Sequence, residues 1–199
     1  MAPEEPFIQQ VEDLLRYDAR KALEHARAHL DASDAGSDDV TYQRWLLIKG
    51  AAQASLGATE DGARILREVR VWAEEHDDPV LQAHCHRRLS ALFRRIGDPA
   101  LMLEHGVTAV DLLPEDADEA VRGDYLLGLA DALGASGSFE DSIRRYQEAS
   151  ALADKCGDRW LQLAVLNNLA YTQYEAGRAG AAVATVEQMQ TDYLSLIHI

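Results

Sequence analysis

The sequence predicts an all-α fold, an α-solenoid of about five antiparallel helix pairs, and three observations carry that prediction. Gly57, Gly97, Gly137 and Gly177 recur forty residues apart. Each of them separates two runs whose apolar residues return at helical spacing. The composition favours helix throughout, with only 5 prolines in 199 residues and an abundance of Ala, Leu, Glu and Arg. No run alternates with period two for long enough to make a strand. A fixed period outranks any local motif, because it decides the architecture.

The helix pairs are expected at about residues 5–31, 39–76, 78–114, 118–156 and 158–193, forming one array over residues 1–193. The first pair is atypical. Its opening helix is short, with Pro6 and Gln10 at packing positions, and Tyr17 stands forty residues before Gly57 where a turn is due. Terminal repeats are often irregular because one face meets solvent. The stretch DASDAGSDD, residues 31–39, reads as a solvated linker. It lacks the alternating ligands and closing glutamate of a calcium loop. In the second pair, Thr59 follows the turn glycine where an N-cap is wanted.

The third pair shows the grammar best. LQAHCHRRLSALFRRI places Leu89, Leu92, Phe93 and Ile96 at helical spacing, and DPALMLEHGVTAVDLLP follows Gly97. Asp78 with Pro79, and Asp98 with Pro99, read as N-cap and first helical residue, and Pro114 as the stop. Ser138 and Asp158 are the matching caps of the fourth and fifth pairs. The glycine between two helices supplies a positive φ, so one helix ends and the next begins at once.

The formal net charge is −15, from 34 acidic and 19 basic residues. Such a surface repels phosphate backbones and anionic headgroups, so neither nucleic acid nor membrane is an expected partner. Extra acid also serves solubility. No stretch approaches the ~20 apolar residues that span a bilayer, and MAPEEPF has neither the basic start nor the apolar core of a signal peptide. Cys85 and Cys156 stand alone, which suits a reducing interior, so a cytoplasmic location is expected.

The chemistry-bearing residues form no catalytic constellation, and no enzyme activity, cofactor or metal is expected of this segment. His84, Cys85 and His86 are consecutive, so a helix points them apart. His25 and His29 share a face at i,i+4 but lack a third ligand. GASGSF, residues 134–139, has neither the lysine nor the strand of a phosphate loop and is an inter-helix turn. His76 with Asp77 and Asp78 lies at a helix end, where capping and solvated charge account for all three.

The segment NNLAYTQYEAGRAGAAVATVEQM, residues 167–189, resembles a tetratricopeptide repeat (TPR), with Leu169 and Ala170 before the turn and Ala182 after it. The unit around Gly137 resembles it better. Leu126, Leu129, Ala130 and Leu133 take the first helix's packing positions, and Ser142, Tyr146 and Ala149 those of the second. Gly50, Ser90, Ala130 and Ala170 hold the small-residue crossing, again forty residues apart. The resemblance covers essentially the whole chain and implies a right-handed superhelix that binds protein or peptide. The common repeat is shorter, and the long variety here is similar to the N-terminal arrays of bacterial signalling proteins with GGDEF-type diguanylate cyclase domains. That implies the regulatory or sensory part of a larger protein. The repeat region of a large ATPase-type transcriptional activator and a free-standing adaptor are the alternatives. The last six residues, LSLIHI, resemble translated read-through of a sequencing adaptor, which would make residues 194–199 non-native. The alternative is a genuine hydrophobic tail on the last helix.

In this family the first helix of each pair lines a groove. The resemblance transfers that role to Arg44, to the basic stripe Arg87, Arg88, Arg94 and Arg95, and to Asn167, Tyr171 and Tyr174. Asn168 occupies one position of the family's two-carboxylate clamp, whose Lys/Asn pattern is otherwise missing. Arginines would take carboxylates of an acidic peptide, or of the protein's own output domain, in bidentate pairs, while tyrosines supply packing. The same arginines could instead neutralise acidic neighbours such as Glu104, Asp124 and Asp131.

Overall fold

The structure, a computed structural model, describes residues 5–33 and 39–197. Its described residues form ten helices and no strand. They divide into two compact units, residues 1–96 and 97–199. The first unit holds α1 (Glu5–Leu14), α2 (Ala19–Ala32), α3 (Val40–Ser55), α4 (Thr59–Glu75) and α5 (Pro79–Ile96). The second holds α6 (Pro99–Asp111), α7 (Glu119–Ala135), α8 (Phe139–Cys156), α9 (Arg159–Glu175) and α10 (Ala179–Ile197).

Within each unit every helix packs on its sequence neighbour, and alternate helices also touch. α1 meets α3 and α3 meets α5 in the first unit, as α7 meets α9 in the second. The first core gathers Ile8, Val11, Ala22, Ala26, Trp45 and Ile48. The second gathers Leu126, Ala130, Tyr146, Leu161, Val165 and Leu169. Burial of the Leu, Ile and Val side chains among them contributes about 1.5–3 kcal/mol each relative to exposure.

Aspartates start most of the helices. Asp78, Asp118 and Asp158, forty residues apart, accept hydrogen bonds from the backbone N–H of Leu81, Ala120 and Leu161 at 2.9, 2.8 and 3.0 Å. Asp18, Asp39 and Asp98 do the same for α2, α3 and α6. Two expected caps differ. Thr59 is the first residue of α4, whose N-cap Ala58 makes no side-chain bond. Ser138 does hold the N-cap of α8, also without a side-chain bond. Acidic residues in the first turn, Glu60 and Asp61 on α4 and Glu140 and Asp141 on α8, favour the helix dipole there.

The four turn glycines have φ of 96°, 81°, 80° and 74°, as the sequence requires. Helices cross where side chains vanish. A Cβ on Gly62 would lie 2.6 Å from the Gly50 carbonyl oxygen and 2.8 Å from Ala54 Cβ. The corresponding crossing in the second unit is joined by Ser142 Oγ, which donates to the Ala130 carbonyl at 2.7 Å.

The first pair departs from expectation in its packing register. Pro6 and Gln10 are exposed, while Ile8 and Val11 turn inward at 1% and 2% exposure. Tyr17 does lie in the turn, 69% exposed. Of the Asp-rich linker, residues 34–38 lie outside the described residues. Helix α10 continues to Ile197, and residues 198 and 199 likewise lie outside.

Cys85 is buried and Cys156 exposed, and neither forms a disulfide. Burial pushes the Cys85 thiol far above its ordinary range, so it stays protonated and unreactive. A thiol reagent at pH 8 should therefore modify one cysteine in the native protein and two in denaturant. Two fast equivalents in the native state would refute the burial of Cys85.

Candidate protein-binding faces

The basic stripe of α5 is uneven. Arg94 and Arg95 are exposed, whereas Arg87 and Arg88 are half-buried. The Nε of Arg88 is buried without a hydrogen-bond partner. Arg95 donates to Ser55 Oγ at 3.4 Å. Two heads therefore reach solvent, and two stems cover apolar surface. Arg44 is engaged elsewhere. It pairs at 3.4 Å with Glu12 of α1, a carboxylate only 5% exposed, and so ties α3 to α1.

On α9, Tyr171 and Tyr174 are 65% and 66% exposed, and Asn167 is exposed on the same stripe at spacings of four and three. Asn167 donates to the side-chain oxygen of its neighbour Asn168 at 3.1 Å. Asn168 itself is half-buried and bonds across helices, donating to Asp131 Oδ1 at 2.8 Å. The same oxygen accepts from the Tyr146 hydroxyl at 2.6 Å. Burial first, and the Asp131 carboxylate second, hold the Tyr146 proton far above its ordinary pKa. Tyr146 is therefore a permanent donor. Asp131 and Asn168 together fasten α9 to α7, so Asn168 serves the interior of the unit where the sequence offered it to the groove.

Three histidines lie against aromatic rings. His29 stacks on Trp45 with ring centroids 4.4 Å apart, and His25 meets Phe7 edge-on at 5.7 Å. His76 stacks on Trp72 at 4.0 Å with its Nδ1 2.8 Å from the Trp72 carbonyl oxygen. Among the described residues no three His, Cys, Asp or Glu side chains gather as a metal site. No described helix is long and apolar enough to cross a membrane.

Two clefts open on the second unit. One, of about 520 Å³, lies between α9 and α10 and is lined by Trp160, Leu163, Ala164, Asn167, Met189 and Gln190. The other, of about 370 Å³, mixes Val107, Leu129 and Leu133 with Asp141, Arg144 and Glu148. Four of its charges pair along α8, Arg144 with Asp141 and Arg145 with Glu148, and Asp111 of α6 also lines it. Sequence reasoning found Asn167 but missed Trp160, Leu163 and Met189, which look like core residues until their exposure is known.

No family model matches the chain. Among curated proteins it is similar to regulatory protein RapG of Bacillus subtilis (strain 168), 21% identical over 183 residues. The match takes in 90% of this chain and 49% of RapG, so the chain spans about half the length of that relative. Among solved structures, a kinesin light chain from Podosopora anserina with nearly identical TPR-like repeats matches with a TM-score of 0.65 at 14% identity, over 94% of this chain and 93% of that one. MamA (residues 41 to the end) from Desulfovibrio magneticus RS-1 matches with a TM-score of 0.62 at 16% identity, over 98% of each chain. A STAND-type signal transduction ATPase with a tetratricopeptide repeat sensor, from Pyrococcus horikoshii, reaches 0.72 at 18% identity, over 92% of this chain and 28% of that one. The fold is thus that of a TPR-like helical repeat scaffold.

Proposed function

We propose that this chain is the regulatory, protein-binding repeat region of a larger cytoplasmic bacterial signalling protein, with an output region of the diguanylate cyclase type. The observation that carries the binding role is the stripe on α9. Tyr171 and Tyr174 stand two-thirds exposed beside Asn167 on a helix whose other face is core. Side chains so exposed add little to folding, while their ring area and hydroxyls suit capture of a protein segment. Arg94 and Arg95 give the first unit a place for acidic residues of the partner. The regulatory role draws support from RapG, itself described as a regulatory protein and about twice the length of the matched region. A partner held on these faces would bias the output by binding one arrangement of the repeats better than another.

The test is co-purification from the source organism with the native chain, the Tyr171→Ala/Tyr174→Ala variant and the Arg94→Glu/Arg95→Glu variant. Arg94 and Arg95 are the members of the stripe to reverse, because Arg87 and Arg88 are half-buried. Each variant should keep the native circular dichroism spectrum and weaken capture about tenfold or more. Undiminished capture by both variants would end the proposal. Sequencing the source locus past the codon for Tyr193 tests the output region, which should carry a GGDEF motif. The STAND neighbour, whose repeats are described as a sensor, favours a second reading as the repeat region of a large ATPase-type activator. A helix-turn-helix in the same reading frame, with no GGDEF motif, would select it. A stop codon close to Ile199 would select the free-standing adaptor.

A further inference from the structure

Helices α6, α7 and α8 each supply part of the 370 Å³ cleft. Val107 and Val110 from α6, with Leu129 and Leu133 from α7, make its apolar part. Val107 is 40% exposed there. The polar part holds the carboxylates of Asp111, Asp141 and Glu148 and the guanidiniums of Arg144 and Arg145. Arg144 pairs with Asp141, and Arg145 with Glu148 at 2.8 Å. Among the described residues the Asp111 carboxylate has no hydrogen-bond or ion-pair partner. The cleft therefore keeps one unmatched negative charge beside an apolar surface.

The same charged set occurs eighty residues earlier on α2 and α4. Asp31, Asp61, Arg64 and Glu68 stand at the positions equivalent to Asp111, Asp141, Arg144 and Glu148. The apolar set is not shared. Arg27, Lys49 and Gln53 stand where the cleft has Val107, Leu129 and Leu133. Arg27 precedes Asp31 by four residues, the spacing at which a cation and a carboxylate meet on one helix. On α6 the carboxylate is present and the cation is not. Clefts of roughly 300–1,000 Å³ with an apolar lining and a few polar groups are the usual form of a small-molecule site.

We propose that this cleft binds a small organic ammonium ion carried on an aliphatic or aromatic body. The body lies on Val107, Val110, Leu129 and Leu133, and the ammonium donates a charge-assisted hydrogen bond to Asp111. Anions are disfavoured, because both guanidiniums already have carboxylate partners. Neutral apolar molecules leave Asp111 unmatched. The site is separate from the partner-binding stripe, since none of its lining residues belongs to α9.

Titration of the isotope-labelled chain with phenethylammonium, phenethyl alcohol and phenylacetate, followed by NMR, tests the assignment. The ammonium should move the amide signals of residues 107–111 and 129–133. It should bind at least about tenfold more tightly than the alcohol, and the carboxylate should not bind. Added salt should weaken the ammonium. Asp111→Asn keeps the shape of the cleft and should lower affinity about tenfold. Val107→Arg, at an exposed position, puts a guanidinium one turn from Asp111 and should abolish binding with no change in the circular dichroism spectrum. Equal affinity for ammonium and alcohol, undiminished binding by Asp111→Asn, or no shift at about 10 mM ammonium would overturn the proposal. So would signals that move around Trp160 and Met189 instead. A lysine-rich peptide that fills the cleft while free phenethylammonium does not enter it would also overturn it, in favour of a protein-docking site.

Discussion

Trp45→Ala is expected to cost about 3–5 kcal/mol, the largest loss from any single truncation in residues 1–96. The indole is fully buried. His29 stacks on it, Phe7 meets it at a centroid distance of 5.8 Å, and Ile8, Val11, Ala22 and Ala26 share its core. It thus joins α1, α2 and α3 at one point. Its Nε1 is buried without a hydrogen-bond partner. Trp45→Phe removes that donor along with one ring, and the relief of an unpaired polar group offsets part of the lost area. Urea unfolding should therefore rank native, Phe and Ala in that order, with Phe within about 2 kcal/mol of native. An Ala variant as stable as the Phe variant would mean that the indole is not the keystone described.

Gly62→Ala should destabilise the α3–α4 pair even though alanine is the better helix former. Propensity alone favours alanine by about 1 kcal/mol. The new methyl group would sit 2.6 Å from the Gly50 carbonyl oxygen and 2.8 Å from the backbone nitrogen of Ala54. These are backbone atoms of the facing helix, so relief requires moving α3 as a whole. Overpacking of this kind costs about 1–3 kcal/mol, enough to reverse the sign, and Gly62→Val should cost more. Gly180→Ala is the control. Nothing lies within 4 Å of a Cβ there, so the substitution should add about 0.5–1 kcal/mol of stability. Thermal unfolding of the two alanine variants should move in opposite directions. Movement in the same direction would show that propensity, not the crossing, governs Gly62.

The fold was legible because its determinants are local and periodic. A glycine with positive φ, an aspartate cap and a small residue at the crossing each act over a few residues, and each recurs every forty. The first helix was misread because the period alone placed Pro6 and Gln10 inward, whereas the short α1 turns Ile8 and Val11 to the core. The binding faces were only half legible. Helical spacing correctly put Asn167, Tyr171 and Tyr174 on one stripe, and exposure agrees. It gave no hint that Arg44 meets Glu12, thirty-two residues away, or that Asn168 meets Asp131, thirty-seven away. Such pairings depend on which helix lies opposite, and a one-dimensional pattern carries no such information. The cleft of α6, α7 and α8 was hidden for the converse reason. Val107, Leu129 and Leu133 have the residue types of an interior, and only the folded arrangement shows that they line an opening.

The caps Asp78, Asp118 and Asp158 make each forty-residue block self-sufficient, since every block brings its own start signal, turn and crossing. A gene built this way can gain or lose length in whole modules without a repair at the seam. Excision of one cap-to-cap block would leave every remaining helix with its own beginning and end. Recombination between blocks is therefore a route by which relatives of this protein could come to differ in the number of helix pairs while each pair stays recognisably the same.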